Sequence, residues 1–315
     1  MKVTVIGPAI IDVLAAGVGT DLFSQKSHMM DDIRLSFGGN ALNEAIVLCR
    51  LGADTELVTK IGDDEAGNKV FDFIKNNGIS SEKVIVEPGL KTGVNVVLIN
   101  QESERFFLTD PNSSLRKMTA NDVTGFIDDM ADIVCFPCMF TSPLIGIPEM
   151  AELFSKIKSV SDRTLILDMT NAKNNETIDD MAEIFSYADY FLPNEEELKS
   201  ISGGKSTDEA ARQILSYGTK AVIVKCGGSD TKVYTKDKSF PVSVYKAADV
   251  RDTTGAGDSF GAGFIYGQTC GMSLKESVLF GNAVASCTVE KTGATDGIVS
   301  KDKSFSRYNE LLAGK

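Results

Sequence analysis

Histidine is nearly absent from this chain, with His28 the only one. Zinc takes four ligands, mostly Cys and His, so a structural zinc here would have to rest on cysteine pairs. Six cysteines are present (Cys49, Cys135, Cys138, Cys226, Cys270 and Cys287), and only Cys135 and Cys138 form a C-x-x-C. There is no second pair, and a redox reading needs a thioredoxin-like unit where this chain has a long strand–helix alternation. The thiols therefore read as small core or pocket-lining groups. Also missing is any apolar run near the roughly 20 residues that span a bilayer, and the opening M-K-V-T-V-I-G reads as a strand rather than a leader. The cytoplasm is the simplest location. Basic residues are in deficit, 32 against 44 acids, for a formal charge of −12. That balance argues against nucleic acid or an anionic membrane as partner. A nucleotide would have to be attracted locally, by helix N-termini or a divalent metal. Two nucleotide signatures fail outright. The G-G-K-S-T at 203–207 puts Lys199 where the first P-loop glycine belongs, and a G-x-G-x-x-G from Gly255 would need glycine at Phe260.

What is present is a chain of 315 residues, 43% hydrophobic, long enough for one large α/β domain with a small appendage. Short apolar runs at 2–6, 57–61, 133–136, 164–168, 190–192 and 221–225 read as strands. Helical spacing recurs between most of them, as at 41–51, 66–76, 149–157 and 208–217. Such alternation predicts a mainly parallel sheet with helices on both faces. Two stretches do not fit it. Residues 9–37 have no sustained helical period, and 92–100 and 105–109 read as a hairpin around Q-E-S-E. The expected division is a main domain of 1–8, 38–91 and 113–315, with a discontinuous β lid of 9–37 and 92–112. Ligands of open α/β sheets bind beyond the carboxyl ends of the strands, so this lid would cover the site.

The densest signal is D-T-T-G-A-G-D-S-F from Asp252 to Phe260. Gly255, Ala256 and Gly257 precede a helix, where small residues leave the first N–H groups open to an anion. A carboxylate there, Asp258, would repel that anion, yet it suits a base that takes a proton from a hydroxyl attacking a phosphoryl group. The helix that follows places Phe260, Gly263, Phe264 and Gly267 at a spacing that fits close packing on the sheet. Gly39, Asn40 and Asn43 open an earlier helix and offer amides to a polyhydroxylated ligand, or simply cap it. Asp12, just after the first strand, can accept two hydrogen bonds from a vicinal diol. Asn194 and Glu197 begin another helix, where acids also favour the dipole. Asp168 ends a strand near the expected phosphate side, or caps the next turn. Arg105 in the hairpin would reach over a bound substrate, or be an ordinary exposed arginine.

Taken together, these segments resemble the signatures of the ribokinase-like (PfkB) carbohydrate kinases. Residues 252–260 resemble the C-terminal signature and 38–67 the N-terminal one; ribokinase itself has lysine in place of Asn40 and glycine in place of Ala41. The resemblance implies a three-layer α/β/α fold with a small β lid, ATP and Mg2+ as cofactors, and a small-molecule sugar substrate. It also implies homodimers paired through the lid. Asp12 would be a substrate ligand. Asn194 and Glu197 correspond to the family's N-x-x-E, which organises magnesium and phosphate, with Asp168 near the metal. Lys225, Gly227 and Gly228 would lie along the nucleotide, and Asn282 with 291–297 would wall the adenine. Asp252 with 292–297 resembles the monovalent-cation site of many members, so K+ activation is an expectation. The function implied is ATP-dependent phosphorylation of a hydroxyl of a sugar or sugar-like compound. The alternatives are a nucleoside or sugar-phosphate kinase of the same fold, or a non-catalytic metabolite sensor.

Overall fold

The computed structural model describes residues 2–24, 26–102, 104–298 and 300–314; Gln25 of the expected lid and Ser103 of the expected hairpin loop lie outside them. In chain order the elements are β1 (Lys2–Ile6), β2 (Ile10–Val18), β3 (Asp32–Gly38), α1 (Asn40–Leu51), β4 (Asp54–Gly62), α2 (Glu65–Asn76), β5 (Val84–Glu87), β6 (Val94–Asn100) and β7 (Arg105–Thr109). They continue with α3 (Ser114–Lys117), α4 (Ala120–Thr124), β8 (Ile133–Met139), α5 (Ile147–Val160), β9 (Thr164–Met169), α6 (Ala182–Tyr187), β10 (Tyr190–Phe191), α7 (Glu195–Ile201) and α8 (Thr207–Ser216). The last are β11 (Ala221–Val224), β12 (Thr231–Thr235), β13 (Ser239–Val242), α9 (Ala256–Thr269), α10 (Leu274–Thr288) and α11 (Lys301–Leu312).

Nine strands form one sheet in the order β13-β12-β11-β10-β9-β8-β1-β4-β5, parallel from β5 to β11, with an antiparallel edge pair. Its two faces can be read from the alternation of side chains along each strand. Val3, Val5, Ile133, Cys135, Ile166 and Ile223 pack with α1, α2, α9, α10 and α11. Ile6, Val134, Phe136, Leu165, Leu167 and Val222 pack with α5, α6, α7 and α8. Both faces are dry, which is why these strands read as continuous apolar runs. Among the described residues no helix is long and apolar enough to cross a membrane.

A second, four-stranded sheet has the order β3-β2-β6-β7. Its strands come from the two stretches that broke the βα alternation. Cross-strand register puts Asp12, Ser36, Asn95 and Thr109 in one row and Val13, Leu35, Val96 and Leu108 in the next. Successive rows face opposite sides, so the sheet has a polar row toward the main body and an apolar row away from it. On that outer side Ile33, Leu35, Phe106 and Leu108 are exposed.

Helix α9 departs from expectation in one respect. Phe264 does meet the sheet, edge-on to Tyr190 of β10 at 5.1 Å between ring centres. Its glycines instead face α10: a Cβ on Gly263 would lie 2.9 Å from the Gly281 Cα, and one on Gly267 2.8 Å from the Ser277 Oγ. The small residues thus set a helix–helix distance.

Candidate active site

A cavity of about 980 Å3 opens beyond the carboxyl ends of the parallel strands, beneath the small sheet. This is near the upper end for a small-molecule site, room for two ligands end to end. Asp12, Asn95, Phe107 and Thr109 of the small sheet line one end, Gly227, Gly228, Val250 and Asn282 the other, and Asp258 lies between them in the lining.

Asp258 sits in the first turn of α9, whose N-cap Gly255 has φ 70°. Only glycine serves there, because a Cβ would also meet the Ala294 carbonyl oxygen at 2.2 Å. The Ala256 N–H turns back to the Thr253 carbonyl at 3.2 Å, and the N–H groups of Gly257 and Asp258 have no backbone or side-chain acceptors among the described residues. Of Gly255, Ala256 and Gly257, expected to open onto an anion, only Ala256 has its N–H engaged.

Asn40 and Asn43 take a different partner from the one expected. Asn40 donates from Nδ2 to one Asp258 oxygen at 3.0 Å, and Asn43 from Nδ2 to the other at 2.8 Å. Three residues apart on α1, they share a face that meets the start of α9. They orient the carboxylate rather than only awaiting a ligand. Gly39 begins α1 at φ 96°, with its missing Cβ 2.4 Å from the Pro8 carbonyl oxygen. Burial pushes the Asp258 carboxyl above the usual aspartate range, against the pull of Asn43, Asn40 and Lys225.

Lys225, just past β11, makes a close ion pair with Asp168 at the end of β9. Its ammonium lies 3.6 Å from where a Gly257 Cβ would be, next to the open N–H groups. Burial works against the Lys225 charge, but Asp168, Glu197 and Asp258 outweigh it and hold the ammonium protonated. Asn194 caps α7 by accepting the Glu197 N–H at 2.8 Å, and Glu197 Oε2 accepts the Asn194 N–H at 2.7 Å. This motif is thus a capping box, with the second Glu197 oxygen uncommitted. Among the described residues no three His, Cys, Asp or Glu side chains converge as a metal cage. Magnesium keeps several waters and takes few protein ligands, and the free Glu197 oxygen with Asp168 nearby fits that mode.

At the opposite end Asp12 accepts from Asn95 Nδ2 at 3.0 Å, and burial raises its carboxyl against the pull of Asn95 and Arg105. Gly38 makes room for it, since a Cβ there would come 2.3 Å from Asp12 Oδ2. Asn95 Oδ1 and Asn43 Oδ1 are buried without partners among the described residues. Arg105 is not part of the cavity lining, although its charge still acts on Asp12. It joins the small sheet to the main body through an ion pair with Asp252 at 2.6 Å. Asp252 also accepts the Thr254 N–H and hydroxyl at 2.9 and 2.7 Å and the Gly293 N–H at 2.9 Å. Three of these donors fall on Oδ1 and only the Gly293 N–H on Oδ2, so Oδ2 keeps a lone pair free for a monovalent cation. Asn282 lines the nucleotide-sized end, but its amide is engaged: Oδ1 accepts from Thr231 at 2.8 Å and Nδ2 donates to the Ser243 carbonyl at 3.0 Å. It braces the wall.

Four residues near the site were not singled out from sequence. Asn95 carried a signal, a polar residue inside V-N-V-V. Arg116 and Lys173 line the cavity as well. Glu44, on α1 beside Asn43, is 1% exposed, and a Cβ on Gly261 would strike it at 2.3 Å. Burial lifts its carboxyl to about 8. Cys135 and Cys138 are free and buried.

Comparison with known proteins agrees with this architecture. Residues 1–301 match the pfkB family of carbohydrate kinases. The chain is 28% identical over 303 residues to a ribokinase of Staphylococcus aureus (strain COL), covering 94% of this chain and 96% of that one. Arabidopsis thaliana ribokinase, solved with ribose and ATP, superposes with a TM-score of 0.82 at 22% identity over 98% of both chains. A putative ribokinase II from E. coli, solved with ATP and Mg2+, gives 0.82 at 20% identity over 100% of this chain and 99% of that one. With the fold and the family signatures in agreement along its length, the chain belongs to the pfkB family of carbohydrate kinases.

Proposed function

We propose that this protein transfers the γ-phosphoryl group of ATP to a hydroxyl of a sugar or sugar-like acceptor, with Asp258 as the base. One observation carries the reading. Asp258 is held by Asn40 and Asn43 on both oxygens, in the same helical turn as two open N–H groups, between the two ends of one cavity. The acceptor lies against Asp12 and Asn95, which hydrogen-bond its hydroxyls. The nucleotide lies along Lys225, Gly227 and Gly228, with its terminal phosphoryl at the start of α9.

Asp258 takes the proton of the attacking hydroxyl as the new O–P bond forms. The bond from the γ-phosphorus to its bridging oxygen breaks, and ADP leaves with that electron pair. The raised Asp258 carboxyl makes a stronger base than an exposed aspartate. The Gly257 and Asp258 N–H groups and the Lys225 ammonium stabilise charge on the transferring group without reorganising. Magnesium bound with the nucleotide would be held by Glu197 and Asp168 through water, and would neutralise phosphate charge.

The apolar outer row of the small sheet suits pairing with a second copy through the same face. Leu35→Glu combined with Phe106→Glu should then sediment as monomer where the parent sediments as dimer; a monomeric parent refutes the pairing.

The decisive experiment is coupled ADP release across aldoses, ketoses, sugar acids, sugar phosphates and nucleosides, with Asp258→Asn alongside. That variant should bind ATP in calorimetry with little change yet lose about 1,000-fold or more in turnover. Near-parental turnover would remove Asp258 as the base, and activity on nucleosides alone would overturn the sugar reading.

A further inference from the structure

We propose that the acceptor carries a negatively charged group, a carboxylate or a phosphoryl ester, and that Arg116 binds it. This rests on the sugar-kinase reading above and goes on to name the substrate class.

The cations lining the cavity are not equivalent. Lys225 is committed to Asp168, Lys246 donates to the Gly228 carbonyl at the nucleotide end, and Lys173 is exposed to solvent. Arg116 belongs to the acceptor end. It follows Leu115, whose Cβ lies 3.1 Å from where a Gly93 Cβ would be. The Gly93 N–H donates to Ser114 Oγ at 3.0 Å, and the Gly93 carbonyl accepts the Ile11 N–H at 3.0 Å. The turn bearing Arg116 is therefore pinned to the root of the small sheet, beside the strand that carries Asp12.

The guanidinium is half-buried and aimed. Arg116 Nη1 donates to the Thr141 carbonyl at 2.6 Å, which fixes the plane of the group. Its remaining N–H groups have no protein acceptor among the described residues, and no carboxylate pairs with it there. Arg105 and Arg307 each pair with a carboxylate at 2.6 Å, while Arg50 and Arg163 bond only main-chain carbonyls but lie away from the cavity lining; among the described residues Arg116 is the arginine that lacks a counter-ion and lines the cavity. Supply is not the reason for the difference, since acids outnumber bases 44 to 32 in this chain. A partly desolvated cation that faces a cavity without a counter-ion is completed by an anionic ligand. The planar fork of arginine matches the two oxygens of a carboxylate or a phosphoryl group. The ATP phosphates are not that ligand, because the open N–H groups and Lys225 draw them to the start of α9. The anion is thus carried by the acceptor, whose hydroxyls meet Asp12 and Asn95.

Calorimetry on matched pairs tests this without requiring turnover. The carboxylate arm compares D-gluconate with D-glucitol and D-glucuronate with D-glucose; the phosphoryl arm compares fructose 6-phosphate with fructose. The parent protein should bind the anionic member of at least one arm more tightly by a factor on the order of 10 to 100, the worth of a charge-assisted pair. The favoured arm identifies the group. Arg116→Gln should erase that preference while leaving the affinity of the neutral member unchanged, and Arg116→Lys should keep part of it. Circular dichroism establishes that both variants are folded. Equal binding within every pair, no binding of any anionic member, or a preference that survives Arg116→Gln overturns the proposal. ADP release with the same compounds reports separately on the kinase reading, so neutral sugars turned over well with Arg116→Gln unaffected would sink this inference alone.

Discussion

The two ends of the cavity are built on opposite plans. At the end proposed for the phosphoryl group the charged side chains are held by the protein itself: Lys225 by Asp168, one Glu197 oxygen by the start of α7, and Asp258 by Asn40 and Asn43. At the acceptor end, among the described residues, Asn95 Oδ1 is buried without a partner and Arg116 has no counter-ion. A buried polar atom left unpaired costs free energy, and a ligand that pairs it recovers that cost. The difference teaches a division of labour. On the proposed function, the main sheet and its helices hold the reacting groups in place, whereas recognition is completed only when the acceptor arrives.

Substitutions at the two ends should therefore fail differently. Lys225→Met strips the cation from a cluster that includes Asp168, Glu197 and Asp258, and turnover is expected to fall about 100-fold or more. Acceptor KM should hardly move, and a KM defect larger than the turnover defect would contradict the division. Asp12→Asn keeps the shape but removes the charge that accepts the acceptor's hydroxyls. Its KM should rise about 10- to 100-fold while the maximal rate stays within a few-fold. Steady-state kinetics on one acceptor decides both.

The smallest effect concerns Glu44, which lies under Asp258 and faces Cys135 and Cys138 of β8, Asp168 of β9, and Lys225. Burial lifts its carboxyl from 4.5 to about 8. Between those values the folded protein keeps a proton that the unfolded chain releases, so stability falls as pH rises through the window and levels off above it. Glu44→Gln removes the titration and should flatten that fall in Tm without abolishing turnover. An unchanged slope would mean that the pH dependence arises elsewhere.

The main sheet was legible because strands dry on both faces are written as short apolar runs between helical patterns. Strand β5, Val84–Glu87, was missed: its burial is slight and its sequence sits among acids and a Gly-rich turn. Residues 9–37 gave no helical period but also no clear strands, since A-A-G inside β2 blurs the alternation. Asp258 and the glycines before it were legible because one local segment holds the helix start, the small residues and the acid. Asn95 beside Asp12 depends on register between strands 83 residues apart, and Arg116 on how α3 seats against Gly93. The roles of Asn40 and Asn43 depend on α1 meeting α9 across more than 200 residues. No local pattern encodes such meetings.

Helix α9 lies against α10 along a seam where Gly263 and Gly267 contribute only hydrogen atoms, and against α1 where Gly261 leaves room for Glu44. A helix behaves over this length as a stiff rod, so whatever fixes its flank also fixes its tip. A single added methyl at Gly263 would meet main-chain carbon at 2.9 Å, which cannot swing aside as a side chain would. The position of the Asp258 carboxylate is thus inherited from atoms that are missing one to two turns further along. Tolerance to mutation in this protein should be narrowest at places that never touch a ligand.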